Sequence, residues 1–270
     1  MGYTFSLEDA KRYDEWFQKE PGESALRIQK QILHDLWSPM SRHRVLEVGC
    51  GTGVFLEWFS QQGHQVTGVD ASPSMLNLAR KRLPGRVVLE QGRAEILPYE
   101  DNAFDTVALI TSLEFVDNPL MALQEAFRVA RSHVLLGTLN KYSLVGCQRY
   151  VERILKPTIY SHARFFGVFE LRRLIEIAVS GYVPVAWRTC LLFPLSTLRY
   201  LRFLERSRYL HWHPFGHFIA MRADLRYPVQ AVQDPLVMEL RSGMGHVRLH
   251  TSCWRFPSEN PNPGVSVQPQ

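Results

Sequence analysis

The chain has little cysteine, no long apolar run, no block of one charge and no internal repeat, and each absence closes off a class of protein. Its four cysteines, Cys50, Cys147, Cys190 and Cys253, stand far apart with no C-x-x-C pair. That spacing argues against a disulfide scaffold or a zinc site and fits a reducing compartment, so a cytoplasmic location and no bound metal are expected. No apolar stretch approaches the ~20 residues that span a bilayer. Charged residues follow soon after Met1, and no signal-type apolar core precedes them. Met1-Gly2-Tyr3-Thr4-Phe5-Ser6 matches a myristoylation pattern in form, but so short a pattern often arises by accident. Lys and Arg number 31 against 26 Asp and Glu, a formal charge of +5. Without a basic block or an RNA-binding signature, that mild excess does not call for a nucleic-acid partner.

What is present is concentrated in one run. Val45-Leu46-Glu47-Val48 is apolar and partly β-branched, as a strand covered on both faces needs to be. Gly49-Cys50-Gly51-Thr52-Gly53 follows, and glycine reaches positive φ without a Cβ penalty, so the backbone can turn sharply and lie against a ligand. From Val54 to Gln62, Phe55, Trp58 and Phe59 recur at helical spacing, and the free amides at that helix start face the same crevice. A dinucleotide fingerprint reads G-x-G-x-x-G; here Val54 takes the third glycine's place and Gly53 comes one residue earlier. Glu47, just ahead of the turn, would repel a pyrophosphate and attract an ammonium or sulfonium. Asp70 ends the next apolar strand at the usual ribose-binding distance of about twenty residues. A nucleoside with a positively charged appendage fits these groups.

Leu46 to Gly53 resembles the first motif of the class I S-adenosylmethionine-dependent methyltransferases, and three later segments resemble the motifs that follow it. These are Asp70-Ala71-Ser72-Pro73-Ser74-Met75-Leu76, then Gly92-Arg93-Ala94-Glu95-Ile96-Leu97-Pro98-Tyr99 with Asn102-Ala103-Phe104-Asp105, then Leu113-Glu114-Phe115-Val116-Asp117-Asn118-Pro119. Within the family, the methyltransferase type 11 branch of ubiquinone and menaquinone biosynthesis is the nearest likeness. The resemblance implies S-adenosyl-L-methionine as cofactor, met by Glu47, Gly49, Cys50, Gly51 and Gly53 of the first motif and Asp70, Ala71 and Met75 of the second. It extends the cofactor contacts to Ala94, Glu95 and Ile110. It also implies that Tyr13 and Phe17, on a helix near the start, fold over the cofactor as a lid; ordinary packing on the sheet is the alternative. Two positions depart from the pattern. Arg93 stands where the family commonly has an aspartate that accepts from the adenine amino group, and arginine has no acceptor. Phe115 stands where histidine is frequent in the branch, so no imidazole base is supplied there.

The rest of the chain reads as alternating strands and helices. Helical patterns at 7–37, broken at Pro21-Gly22, lead into strands near 44–48, 66–69, 86–90, 105–110 and 133–138, then helices near 144–156 and 168–179 and strands at 183–192 and 215–223. This alternation predicts a doubly wound, mostly parallel, Rossmann-like seven-stranded α/β sheet with flanking helices and ligands at the strands' carboxyl ends. One domain is expected over residues 1–226, followed by an extension over 227–270 whose polar, proline-rich end is expected to be disordered. Leu198, Leu201 and Leu204 recur at helical spacing opposite Arg199, Arg202, Arg206 and Arg208, a pattern that fits a cover helix or contact with an anionic membrane surface. His211, His213 and His217 lack Cys or acidic partners at metal-ligand spacing.

The expected reaction is an in-line displacement at a methyl carried on positive sulfur, for which alignment and exclusion of water supply much of the acceleration. Glu114, just after the fourth strand, is the candidate to act as base or orient the acceptor; capping of the helix near Asn118 is the alternative. Asn140, Tyr142 and Ser143, in the turn after the fifth strand, are candidates for contact with a small, hydrophobic or quinone-like acceptor, with helix capping the alternative for Ser143. A non-catalytic cofactor-binding module and an NAD-dependent oxidoreductase remain as other readings.

Overall fold

The computed structural model describes residues 3–83, 85, 87–148, 159–194, 197, 205 and 211–225. The chain divides into two units, Met1–Tyr227 and Pro228–Gln270, and all that is described belongs to the first. Gly2, the 198–204 and 206–208 positions of the leucine and arginine pattern, Cys253 and the proline-rich end lie outside the described residues.

Seven strands form one sheet: β1 (Arg44–Val48), β2 (Gln65–Asp70), β3 (Val88–Gln91), β4 (Phe104–Ile110), β5 (Ala130–Leu139), β6 (Val185–Cys190) and β7 (Phe218–Asp224). Their order across the sheet is β3-β2-β1-β4-β5-β7-β6. Neighbours are parallel except around β7, which runs antiparallel to both β5 and β6. Chain order leaves β1 towards β2 on one side and resumes at β4 on the other, and this reversal opens a crevice at the carboxyl ends.

Adjacent residues of the central strands point to opposite faces, and both faces are covered. Leu46, Leu109 and Leu136 join one apolar cluster with Leu123 and Phe127 of α5 (Pro119–Val129) and Leu171 and Ile175 of α6 (Val168–Ala178). Val45, Ala108 and Leu135 join the other, with Ile32 and Leu33 of α2 (Gly22–Leu36), Phe55 and Phe59 of α3 (Val54–Gln61) and Leu76 of α4 (Pro73–Arg82). This is why the strands read as continuous apolar runs instead of alternating ones.

Helix boundaries follow local chemistry. Ser6 and Asp9 close a capping box at the start of α1 (Leu7–Phe17). Ser72 caps α4 by accepting from the Met75 amide, and Asn118 caps α5 by accepting from the Leu120 and Met121 amides, each with proline at the first helical position. Residues 144–148 are helical, and the remainder of the helix expected to 156 lies outside the described residues. The last strand begins at Phe218 instead of 215, because the Asn140 side chain donates to the carbonyls of Pro214 and Gly216 and holds that stretch as a turn.

Candidate functional site

The glycine turn after β1 is built by positive φ angles of 72° at Gly49 and 52° at Gly51. Its amides are drawn towards β2: Gly49 N and Cys50 N donate to Val69 O at 2.7 and 3.0 Å. The Asp70 carboxylate completes the tie, accepting from Gly51 N through Oδ2 and from Ser72 N through Oδ1, both at 2.8 Å. Burial pushes this carboxyl up from the ordinary aspartate range, while the two amides pull it back. A Cβ on Gly51 would meet nothing nearer than the Tyr13 ring at 3.7 Å and Met75 Sδ at 3.9 Å, so the missing side chain leaves open space beside the turn.

That space belongs to a cavity of about 510 Å³. On the β2 and β1 side its wall is Gly49, Gly51, Asp70, Ala71, Met75 and Ala94; on the β5, β7 and β6 side it is Leu139, His217 and Leu191. The cavity therefore runs along the carboxyl edge of the sheet. Across it lies a strap of residues 3–6: Tyr3 N donates to Phe115 O at 3.2 Å, and Phe5 O accepts from Ser72 Oγ at 2.7 Å. Tyr3, Phe5 and Phe115 form an aromatic group with centroids 5.0 to 6.4 Å apart, and Tyr3 stacks on His162 at 4.5 Å. Tyr13 and Phe17 line the cavity edge-to-face at 4.9 Å, and the Tyr13 hydroxyl lies 3.4 Å from Thr111 Oγ1.

Arg93 also lines the cavity. Its guanidinium donates to Asp117 Oδ2 at 2.6 Å and lies 3.5 Å from Glu95 Oε2, while Glu95 Oε1 accepts from the amides of Asp117 and Asn118. The arginine thus fixes a carboxylate, Asp117, on the wall.

Several expected contacts stand elsewhere. Glu47, Cys50, Gly53 and Ile110 are not among the lining residues. Glu47 is buried behind the turn, where burial and the Asp70 charge push its carboxyl well above the ordinary range. Cys50 is likewise buried, its thiol pushed up by burial, and a Cβ on Gly68 would lie 2.8 Å from its Sγ. Gly53, at φ 80°, packs on α4. Glu114 does not face the cavity either. It is buried, its Oε1 accepts from Leu139 N at 2.6 Å, and burial pushes its carboxyl up to about 8. It ties the turn after β4 to the end of β5, and the helix start near Asn118 is capped by Asn118 itself instead of Glu114.

The acceptor candidates also stand off the cavity wall. Asn140 is committed to Pro214 O and Gly216 O at 2.7 and 2.8 Å, and Ser143 Oγ to Asn140 O at 2.8 Å. Tyr142 is exposed, with Lys141 Nζ 5.1 Å from its ring. None of the three lines the cavity; their neighbour Leu139 does. Tyr3, Phe5, Phe115 and His217 line the cavity as well, a place that sequence reasoning did not assign to them. Among the described residues no group of three or more His, Cys, Asp or Glu is placed to hold a metal ion, and no helix is long and apolar enough to cross a membrane.

A doubly wound sheet whose switch point carries a glycine turn and a half-buried acid at the end of β2 defines a class of protein that works on a nucleoside-bearing cofactor. Comparison with known proteins makes the class specific. The family described as Methyltransferase domain matches residues 46–136. An uncharacterised protein of Methanocaldococcus jannaschii is 31% identical over 169 residues, covering 62% of this chain and 76% of that protein. The ubiquinone biosynthesis O-methyltransferase of Dechloromonas aromatica is 31% identical over 150 residues, 50% of this chain and 63% of that enzyme. The chain thus spans less than two thirds of that enzyme's length. A crystal structure from Thermotoga maritima, described as an S-adenosylmethionine-dependent methyltransferase and possible histamine N-methyltransferase, superimposes with a TM-score of 0.65. It is 26% identical, over 82% of this chain and 97% of that one. The chain belongs to the class I S-adenosylmethionine-dependent methyltransferases, which sets aside the oxidoreductase reading.

Proposed function

We propose that this enzyme holds S-adenosylmethionine in the β1, β2 and β4 part of the cavity and methylates a small, largely apolar acceptor lodged towards β5, β7 and β6. The observation that carries the reading is the continuity of one cavity from Asp70 to Leu191. Asp70 fits a ribose: a carboxylate has about four lone-pair directions, and the Gly51 and Ser72 amides fill two, leaving capacity for two hydroxyls. Gly51 leaves room for the methionyl chain beside Gly49, and Ala71, Met75 and Ala94 offer walls to the adenine. Glu95 serves through the loop it braces, and Tyr13 and Phe17 exclude water from above. When bound, the cofactor supplies a methyl on cationic sulfur, and this positive charge is lost on transfer. An apolar, water-poor chamber favours that loss of charge.

The aromatic group of Tyr3, Phe5 and Phe115 beside Leu139 and Leu191 supports a flat, hydrophobic acceptor of the quinone-precursor kind. Cys50, Cys147 and Cys190 are free thiols, which supports a cytoplasmic setting. The test has two parts. Calorimetry with S-adenosylmethionine and with NAD should give binding for the first alone; the reverse sinks the proposal. Mass spectrometry of cell extract incubated with protein and labelled cofactor should then show a methylated hydrophobic species that is missing with Asp70→Ala.

A further inference from the structure

The apolar stripe that α2 turns to the sheet has a polar residue at its centre. Ala25, Ile32, Leu33 and Leu36 are buried in the cluster they share with Leu191 and Phe218, and Gln29 stands among them, one turn from Ile32 and Leu33 on the same face. Helical spacing calls for an apolar side chain there. Gln29 is 5% exposed, and its Oε1 has no hydrogen-bond partner among the described residues. Burying an amide costs free energy unless another group or a water pairs with it.

Gln29 also lines the cavity, and the helix sets its place along the edge. α2 packs on β6 and β7, and its end is tied to the sheet where Arg222 of β7 donates to Leu36 O. β7 begins at the carboxyl edge, where Phe218 pairs with Leu139. Two turns back from Leu36, about 10 Å along the axis, Gln29 therefore reaches the cavity on the β5, β7 and β6 side, with the apolar walls of Leu139 and Leu191. Ser112 is a second wall residue with a buried side-chain atom, Oγ, that lacks a partner among the described residues. It stands at the glycine turn, where a Cβ on Gly49 would lie 2.3 Å from its own Cβ. Ser112 thus belongs with the methionyl chain, and Gln29 with the acceptor.

We propose that Gln29 is the specificity-determining residue of the acceptor half: its Oε1 accepts from a hydroxyl on the ring of the acceptor, which is a hydroxylated aromatic and not a bare hydrocarbon. A carbonyl or an ether oxygen brings no proton to Oε1, so neither satisfies it as a hydroxyl does. A ligand that leaves a buried polar group unpaired is rejected more strongly than one that merely fits less well. The amide takes no proton, so Gln29 selects and orients the ring and supplies no base.

The inference rests on the proposed division of the cavity, and its test reads binding to the full chain without turnover. The probes 2-naphthol and 2-methylnaphthalene differ by a hydroxyl in place of a methyl. Calorimetry in the presence of S-adenosylhomocysteine gives the ratio of their affinities, and Gln29→Met should move that ratio about tenfold towards the hydrocarbon. The ratio for 2-methoxynaphthalene against 2-methylnaphthalene, an oxygen without its proton, should move less than threefold. Without ligand, Gln29→Met removes an amide that has no partner, so Tm should hold or rise. A naphthol ratio within twofold of wild type, or a methoxynaphthalene ratio that moves as far as the naphthol one, overturns the proposal. A fall in Tm of about 4 °C or more, the mark of a lost internal bond, overturns it as well. If S-adenosylmethionine does not bind while the naphthol ratio still shifts on the protein alone, the methyl-transfer reading falls and Gln29 keeps its part; if it binds and the ratio stays, Gln29 falls alone.

Discussion

Arg93 Nη2 donates to Asp117 Oδ2 at 2.6 Å on the cavity wall. The pair sets a carboxylate beside a position where Arg93 by itself offers only donors. Asp117→Ala should weaken S-adenosylmethionine binding by about 10- to 150-fold, the cost of about 1.5–3 kcal/mol expected for a lost hydrogen bond to a charged group. Arg93→Ala should weaken it by less, and the double variant should be no worse than Asp117→Ala. Calorimetry on the four proteins measures the coupling. Because the Arg93 side chain is about half exposed, its removal should leave stability within ~1 kcal/mol.

Glu114 makes a prediction in pH. Its folded carboxyl sits at about 8 against an ordinary value of 4.5, so the folded chain holds a proton that the unfolded chain releases. The contribution is full below 4.5 and is lost as pH rises towards 8, by up to about 1.4 kcal/mol per unit. Glu114→Gln keeps an acceptor for Leu139 N and cannot ionise. Urea unfolding at pH 5 and pH 8 should show the variant gaining on wild type as pH rises; parallel curves would contradict this assignment.

Gly53 is held at φ 80°, with Leu83 Cδ1 2.9 Å and Ala79 Cβ 3.3 Å from where a Cβ would stand. Gly53→Ala should cost about 1–2 kcal/mol from the left-handed backbone alone, on the order of 4 °C in Tm for a chain of this size. Since Gly53 does not line the cavity, cofactor affinity measured below the transition should change less than threefold.

Asp70→Asn separates two roles of one carboxylate. An amide can accept from Gly51 N or from Ser72 N but presents an N–H to the other, so the turn and the α4 start cannot both be satisfied. Cofactor affinity should fall about tenfold or more, with a smaller change in Tm, as followed by calorimetry and thermal unfolding.

The sheet was legible in the sequence because its central strands are buried on both faces, and the glycine turn and Asp70 because each needs a special residue at a fixed spacing. The direction of β7 was not legible, and the placing of Asn140 and Ser143 follows from that. Had β7 been read as antiparallel, its beginning would fall at the carboxyl edge, which puts His217 beside Asn140 and turns a scattered histidine into a wall residue. Glu114 looked catalytic because a carboxylate after β4 lies near the cofactor; its side chain turns inward to Leu139 instead, which only the packing of two strand ends reveals. Tyr3 and Phe5 drew attention only through a lipidation pattern, since their partners Phe115 and Ser72 are far along the chain.

Ser72 Oγ caps α4 through Met75 N at 3.2 Å and holds the strap through Phe5 O at 2.7 Å, while its own amide sits on Asp70. One hydroxyl thus joins the start of α4, at the Asp70 end of the cavity, to the strap of residues 3–6 across it. A change in the first turn of α4 that breaks one of these bonds bears directly on the other, so the wall and its cover share a single serine.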